Sequence, residues 1–278
     1  MRLSRKQFLD SPNKVVTLLG MSGVGKTTLA SRLPQDQWFH YSGDYRIGTQ
    51  YLQEPILDNI KQHAMESPFL RDLIRSDSIY ICNNITVENL QPISTFLGKI
   101  GNPELGGMPL AEFKRRQRLF RHAEINAMND VPDFMQKGRD LYTYPNFLVD
   151  AGGSVCELSD ADIWSQLAEK SIIIYLKADA KMEQLMIERA QAAPKPMYYD
   201  EAFLDQHVAE FLTLKGLNNT DEMVPDEFVQ WVFPKLIAHR RPLYERVAEQ
   251  HGYTVDARQV MAVENEADVI ELIAGALN

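Results

Sequence analysis

The clearest pattern along the chain is a series of short apolar runs, each closing on glycine or an acidic residue, with helically spaced stretches between them. Val15-Val16-Thr17-Leu18-Leu19 is β-branched or apolar nearly throughout and runs into Gly20-Met21-Ser22-Gly23-Val24-Gly25. A continuous apolar run of that length followed by glycines reads as a buried strand entering a glycine loop. Lys26 to Leu33 then opens a helix that Pro34 stops, and Trp38 to Tyr41 predicts a second strand ending at Ser42-Gly43-Asp44. From about 51 to 145 the pattern is mostly helical, punctuated by Pro55, Pro68, Pro92, Gly101-Asn102-Pro103, Gly106-Gly107 and Pro132. Ser78 to Cys82 is a faint strand signal within that stretch, and Leu110 to Asp140 is its best helix. Strand patterns return at Phe147 to Asp150, at Ile172 to Leu176 and, more weakly, at Tyr253 to Val255.

Strands alternating with helices predict a mostly parallel sheet covered on both faces, with ligands at the carboxyl ends of the strands. The expected fold class is therefore α/β, three layers deep. Residues 1–50 and 146–278 form its core, and 51–145 form a helical insertion. The 278 residues hold 45% apolar and 24% charged positions, which excludes disordered and fibrous classes. Lys and Arg number 29 against 38 Asp and Glu, a net charge of −9 that weighs against nucleic acid as a partner. Cys82 and Cys156 stand far apart, outside any metal-binding spacing, and no apolar run is long enough to cross a membrane. These features predict a cytoplasmic protein with no membrane association.

The sharpest chemistry is Gly20-Met21-Ser22-Gly23-Val24-Gly25-Lys26-Thr27, which matches G-x-x-x-x-G-K-[ST] with a strand before it and a helix after it. Glycines let the backbone curl until successive N–H groups point at one phosphate, and the helix start adds partial positive charge. Gly20, Ser22, Gly23, Val24, Gly25, Lys26, Thr27 and Thr28 are thus the candidate phosphate cradle. Lys26 is placed to bridge the β- and γ-phosphates, and the Thr27 hydroxyl to ligate Mg²⁺.

Two acidic strand ends add to this. Asp150 closes an apolar run, as a carboxylate that holds Mg²⁺ does, and Gly152-Gly153 behind it leave room for a substrate to approach the backbone. Its neighbour is Ala151, where ATP-driven motors carry a glutamate that polarises water, so hydrolysis is disfavoured as the main task. Asp44 is a candidate general base and Arg46 a candidate fork for an anionic acceptor, against the plainer reading of a helix N-cap beside a surface arginine. A GTPase reading of Asp150 to Gly153 is open but weakened at Leu176-Lys177-Ala178-Asp179, where Leu176 breaks the guanine-reading motif.

With these residues in view, the chain resembles the P-loop small-molecule kinases of the shikimate and gluconate kinase group, with an echo of adenylate kinase. The resemblance rests on Gly20 to Thr28, on Ser42-Gly43-Asp44, on Val149-Asp150-Ala151-Gly152-Gly153-Ser154, and on Arg240-Arg241-Pro242-Leu243-Tyr244. It implies ATP as the nucleotide, Arg240 in contact with bound ligand, and a lid at about 190–239. Lys195 in that lid, or Arg189 on the preceding helix, would supply the closing positive charge. The chain departs from the group in three places: Ser42 stands for an aspartate, Ser154 for a third glycine, and Lys195-Pro196 for an arginine-proline pair. The long insertion implies an acceptor larger than shikimate, or one approached with a partner.

Two function classes follow. The first is an ATP- and Mg²⁺-dependent phosphotransferase acting on a small anionic metabolite. The second is a P-loop ATPase switch whose insertion binds a protein or RNA. Lys114, Arg115, Arg116, Arg118 and Arg121 would form the grip in that second reading, against the simpler one of a solvated helix face.

Overall fold

The computed structural model describes residues 3–158 and 162–277. Five strands, β1 (Val15–Leu19), β2 (Trp38–Ser42), β3 (Asn146–Asp150), β4 (Ile172–Lys177) and β5 (Gly252–Asp256), form one sheet in the order β2-β3-β1-β4-β5. Every pairing is parallel. The fold is α/β, with a five-stranded, all-parallel sheet among the described residues.

Each strand falls where the apolar runs predict it, to within a residue or two at either end. Parallel strands bury both faces, so they need unbroken apolar runs, and that is the signal these segments carry. Along β1 alternate residues divide between the two faces. Val16 and Leu18 share one face with Ile172, Ile174, Leu29 and Ile273 in the main core. On β4 Tyr175, two residues from Ile173, stacks on Tyr244 with ring centroids 5.2 Å apart. At the centre of the sheet the Thr17 and Ser171 hydroxyls bond each other at 2.8 Å, so the one polar position of β1 is satisfied.

The chain divides into two compact units. The first comprises Met1–Gly43, Glu124–Pro194 and Val229–Asn278; the second comprises Asp44–Ala123 and Lys195–Phe228. The expected boundaries at 51–145 and 190–239 therefore shift. The cause is the single helix Leu110–Asn129, whose last turns belong to the first unit. There Glu124 is fully buried and accepts from the Ser154 hydroxyl at 2.8 and 2.9 Å, and the Ala127 carbonyl accepts from the Tyr41 hydroxyl. The helix expected over Leu110 to Asp140 is two, because Pro132 sits in the first turn of a new helix, Val131–Asp140.

The second unit is helical among its described elements and has its own aromatic core. Tyr199 packs against Phe113, Phe203 and Phe228, and Phe211 meets Phe228 edge-on at 5.4 Å. Ser78 to Cys82 is not a strand: it is irregular, with Tyr80 88% exposed. The basic helix face is matched by acids within the same unit. Lys114 pairs with Asp205 at 2.6 Å, Arg115 and Arg116 with Glu112, and Arg118 with Glu201 at 3.1 Å. Arg116 is buried and also donates to the Phe96 carbonyl at 2.6 Å. Lys114, Arg115, Arg116 and Arg118 are thus paired with carboxylates of the same unit.

Candidate functional site

The first unit gathers the glycine loop Gly20 to Gly25, the end of β3 and most of one long helix. β1 pairs with both β3 and β4, and the chain leaves its carboxyl end by the loop Gly20 to Gly25. In open parallel sheets the crevice at such a change of direction is where ligands bind. Gly20, Gly23 and Gly25 have φ of +142°, +93° and +101°, values that side chains rarely allow. Gly25 is constrained twice, since a Cβ there would lie 2.7 Å from Val260 Cγ1. The following helix, Lys26–Ser31, starts with Gly25 as N-cap, and its first internal bond is Leu29 N–H to the Gly25 carbonyl at 2.9 Å. The amides of Gly25, Lys26, Thr27 and Thr28 therefore have no acceptor within the helix.

Lys26 is 8% exposed and turns back over its own loop, donating to the carbonyls of Gly20 at 2.7 Å and Met21 at 3.3 Å. Thr27 points the other way, and its hydroxyl donates to Asp150 Oδ2 at 3.1 Å. The sheet register explains the meeting: Leu18 is paired with Asp150, so the end of β3 lies beside the start of the loop. Gly43, at the end of β2, closes in behind, since a Cβ there would lie 3.4 Å from the Asp150 carbonyl oxygen and 3.5 Å from the Gly152 nitrogen. A Cβ on Gly153 would lie 3.2 Å from the Ser22 nitrogen, so this glycine lies close to the backbone of the glycine loop.

Beneath that turn lies a buried polar network that sequence reasoning did not assemble. Arg240, 6% exposed, donates to Glu157 Oε2 at 2.9 Å and to the Gly153 carbonyl at 3.1 Å. Tyr244 donates to the same carbonyl at 2.9 Å. Burial raises the Glu157 carboxyl, but the charge of Arg240 and the hydrogen bonds of His239 and Arg240 outweigh it and hold the group below the ordinary value. Burial pushes the Cys156 thiol well up, which makes it inert as a nucleophile. Ser154, where the resemblance implies a third glycine, spends its hydroxyl on buried Glu124. The signal that was available is the spacing of Arg240 and Tyr244, which puts both on one helix face.

Asp44 and Arg46 open the second unit in the short helix Gly43–Arg46, both half-buried, and Arg46 lies over the Tyr51 ring at 5.6 Å and donates to Gln50 at 3.4 Å. A π-helical turn, Ile47–Tyr51, follows them directly. Arg189 is exposed in the last turn of the helix Ala180–Ala192, in the first unit, and Lys195 is exposed in the second. Asp179, weighed for guanine, caps that helix by accepting from the Met182 amide at 2.8 Å, while Lys177 pairs with Glu245 at 2.7 Å.

No family model and no curated protein matches the chain. Among solved structures it is similar to a shikimate kinase from Bacteroides thetaiotaomicron, at 14% identity over 94% of both chains, with a TM-score of 0.37. The functional reading rests on the geometry of the site itself.

That geometry has a definite chemistry. The loop offers orphan amides and a buried ammonium, which suit a polyphosphate. Thr27 and Asp150 offer two hard oxygen donors in contact, which fit Mg²⁺ held by one carboxylate and by substrate phosphates. No helix among the described residues is long and apolar enough to cross a membrane.

Proposed function

We propose that this chain binds ATP with Mg²⁺ and transfers the γ-phosphoryl group to a hydroxyl or carboxylate of a small anionic metabolite. The observation that carries the reading is the contact of Thr27 with Asp150 beside the tucked Lys26. A loop lysine, a hydroxyl on the first helical turn and a strand-end carboxylate are the three side chains that a triphosphate and its metal require.

Phosphoryl transfer needs little covalent work from the protein; it needs positioning and neutralised charge. Lys26 exchanges its two carbonyl acceptors for phosphate oxygens, and the amides of Gly25 to Thr28 orient the β-phosphate. Thr27 and Asp150 hold Mg²⁺, which when bound spreads the charge developing on the phosphates. Asp44 as the base that takes the acceptor's proton, Arg46 as the acceptor's anion fork, and Lys195 or Arg189 as the closing cation rest on the resemblance. The Gly152–Gly153 turn gives the acceptor side a backbone without side chains.

Adding a dialysable small-molecule extract to the purified protein and Mg-ATP should stimulate ADP release, and Lys26→Ala should abolish the stimulation while remaining folded. A folded Lys26→Ala protein with undiminished turnover would overturn the proposal.

A further inference from the structure

The geometry points to Arg240 and Tyr244 as a positioning pair: they set the phosphate loop and Asp150 by clamping one backbone carbonyl, that of Gly153, and Arg240 is not itself a ligand contact. The inference rests on the nucleotide reading above and departs from the role that the resemblance implies for Arg240.

Four observations carry it. Arg240 and Tyr244 are one helical turn apart on the helix Pro225–His251, so their side chains project from the same face. Both donate to the Gly153 oxygen, at 3.1 and 2.9 Å, so two donors converge on a single acceptor. Both are buried, at 6% and 0% exposure, and each is fixed from behind: Arg240 by Glu157 at 2.9 Å, Tyr244 by its stack on Tyr175 of β4. The clamped residue is the one on which a Cβ would lie 3.2 Å from the Ser22 nitrogen, and it follows Asp150 by three positions. A shift of this turn therefore moves the loop amide and the carboxylate together.

Arg241 behaves differently although it is adjacent. It points away from the turn and forms a fork with Glu183, with Nε to Oε1 at 2.8 Å and a second short contact. The arginine pair thus has one member facing the turn and one facing a neighbouring helix, as the 100° step of a helix requires.

Arg240→Lys keeps the charge beside Glu157 but loses the fork that reaches two acceptors at once. Tyr244→Phe keeps the stack and removes only the hydroxyl. Calorimetric titration with Mg-ATP is expected to give about tenfold weaker binding for each variant, and a double variant no weaker than the poorer single one, because both donors act through the same carbonyl. Lost stability alone would lower the melting temperature of both variants and leave the affinity of the folded proteins unchanged, which would overturn the inference. So would a normal affinity for Tyr244→Phe with a large loss for Arg240→Lys, or two losses that multiply, since either marks Arg240 as a direct contact. If the wild-type protein binds no Mg-ATP at all, the nucleotide reading falls first; if it binds and the variants match it, only the clamp falls.

Discussion

The Thr27 hydroxyl donates to Asp150 Oδ2 at 3.1 Å, joining two side chains 123 positions apart in the sequence. Their meeting follows from β1 and β3 being parallel neighbours with Leu18 opposite Asp150. If this pair holds the metal, Asp150→Asn removes the charge and keeps the shape. Mg-ATP should bind about tenfold or more weakly, while binding of ATP in EDTA stays nearly unchanged. Titrations with and without Mg²⁺ check this, and equal losses in both would show that Asp150 supports the loop only.

Lys26 already sits inside the loop, bonded to the carbonyls of Gly20 and Met21. Removing it takes away an ammonium that would neutralise charge on the transferring group. Lys26→Ala should lower turnover at least about a hundredfold. Circular dichroism and the melting temperature should show a folded protein, and turnover of the two purified proteins checks the loss.

Gly25 holds φ at +101° with no room for a methyl group beside Val260 Cγ1. Gly25→Ala should cost about 3 kcal/mol, from backbone strain and overpacking together. Denaturant midpoints measure it. Adding Val260→Ala should recover the packing share and leave the strain; no recovery would locate the whole cost in the backbone.

Glu157 gives a pH dependence with a fixed sign. Its carboxyl titrates below the ordinary 4.5 in the folded protein, because Arg240 and His239 outweigh the effect of burial. The stability it adds is therefore complete above the ordinary carboxylate range and is lost as the pH falls through the lowered folded value. Glu157→Gln should cost about 3 kcal/mol at neutral pH by leaving buried Arg240 without its counter-charge. The stability gap from wild type should narrow as the pH falls below the ordinary carboxylate range. A gap independent of pH would mean that the ion pair is not what Glu157 contributes.

How much of this was legible in the sequence depended on whether the signal was local. β1 and its loop could be read to the residue, because a strand buried on both faces must be apolar at nearly every position and the loop must be glycine where φ is positive. Asp150 was legible as a strand end, though not its contact with Thr27, which depends on strand order. The Arg240 to Gly153 clamp was hidden for a similar reason: helix spacing aligned Arg240 with Tyr244, but their shared acceptor is a backbone oxygen some 90 positions earlier, with separations of 87 and 91 residues. Neither Glu124 nor Ser154 declared its role, since a buried carboxylate looks like any other acid until its partner is known. The pairing of the arginine-rich helix was hidden in the same way, as its partners Glu201 and Asp205 come from a helix about 90 residues away, Glu201–Lys215. The unit boundaries escaped too, because Leu110–Asn129 is one unbroken helix across the division and a boundary inside a helix leaves no turn residues to read.

The central claim is phosphoryl transfer, and the most direct test follows the γ-phosphoryl group itself. ATP labelled on the γ-phosphate is incubated with the protein, Mg²⁺ and a dialysable metabolite extract, and the products are separated. The account predicts label on a small organic acceptor with the wild-type protein and none with Lys26→Ala. Label appearing only as inorganic phosphate, at a rate the extract does not change, would contradict it.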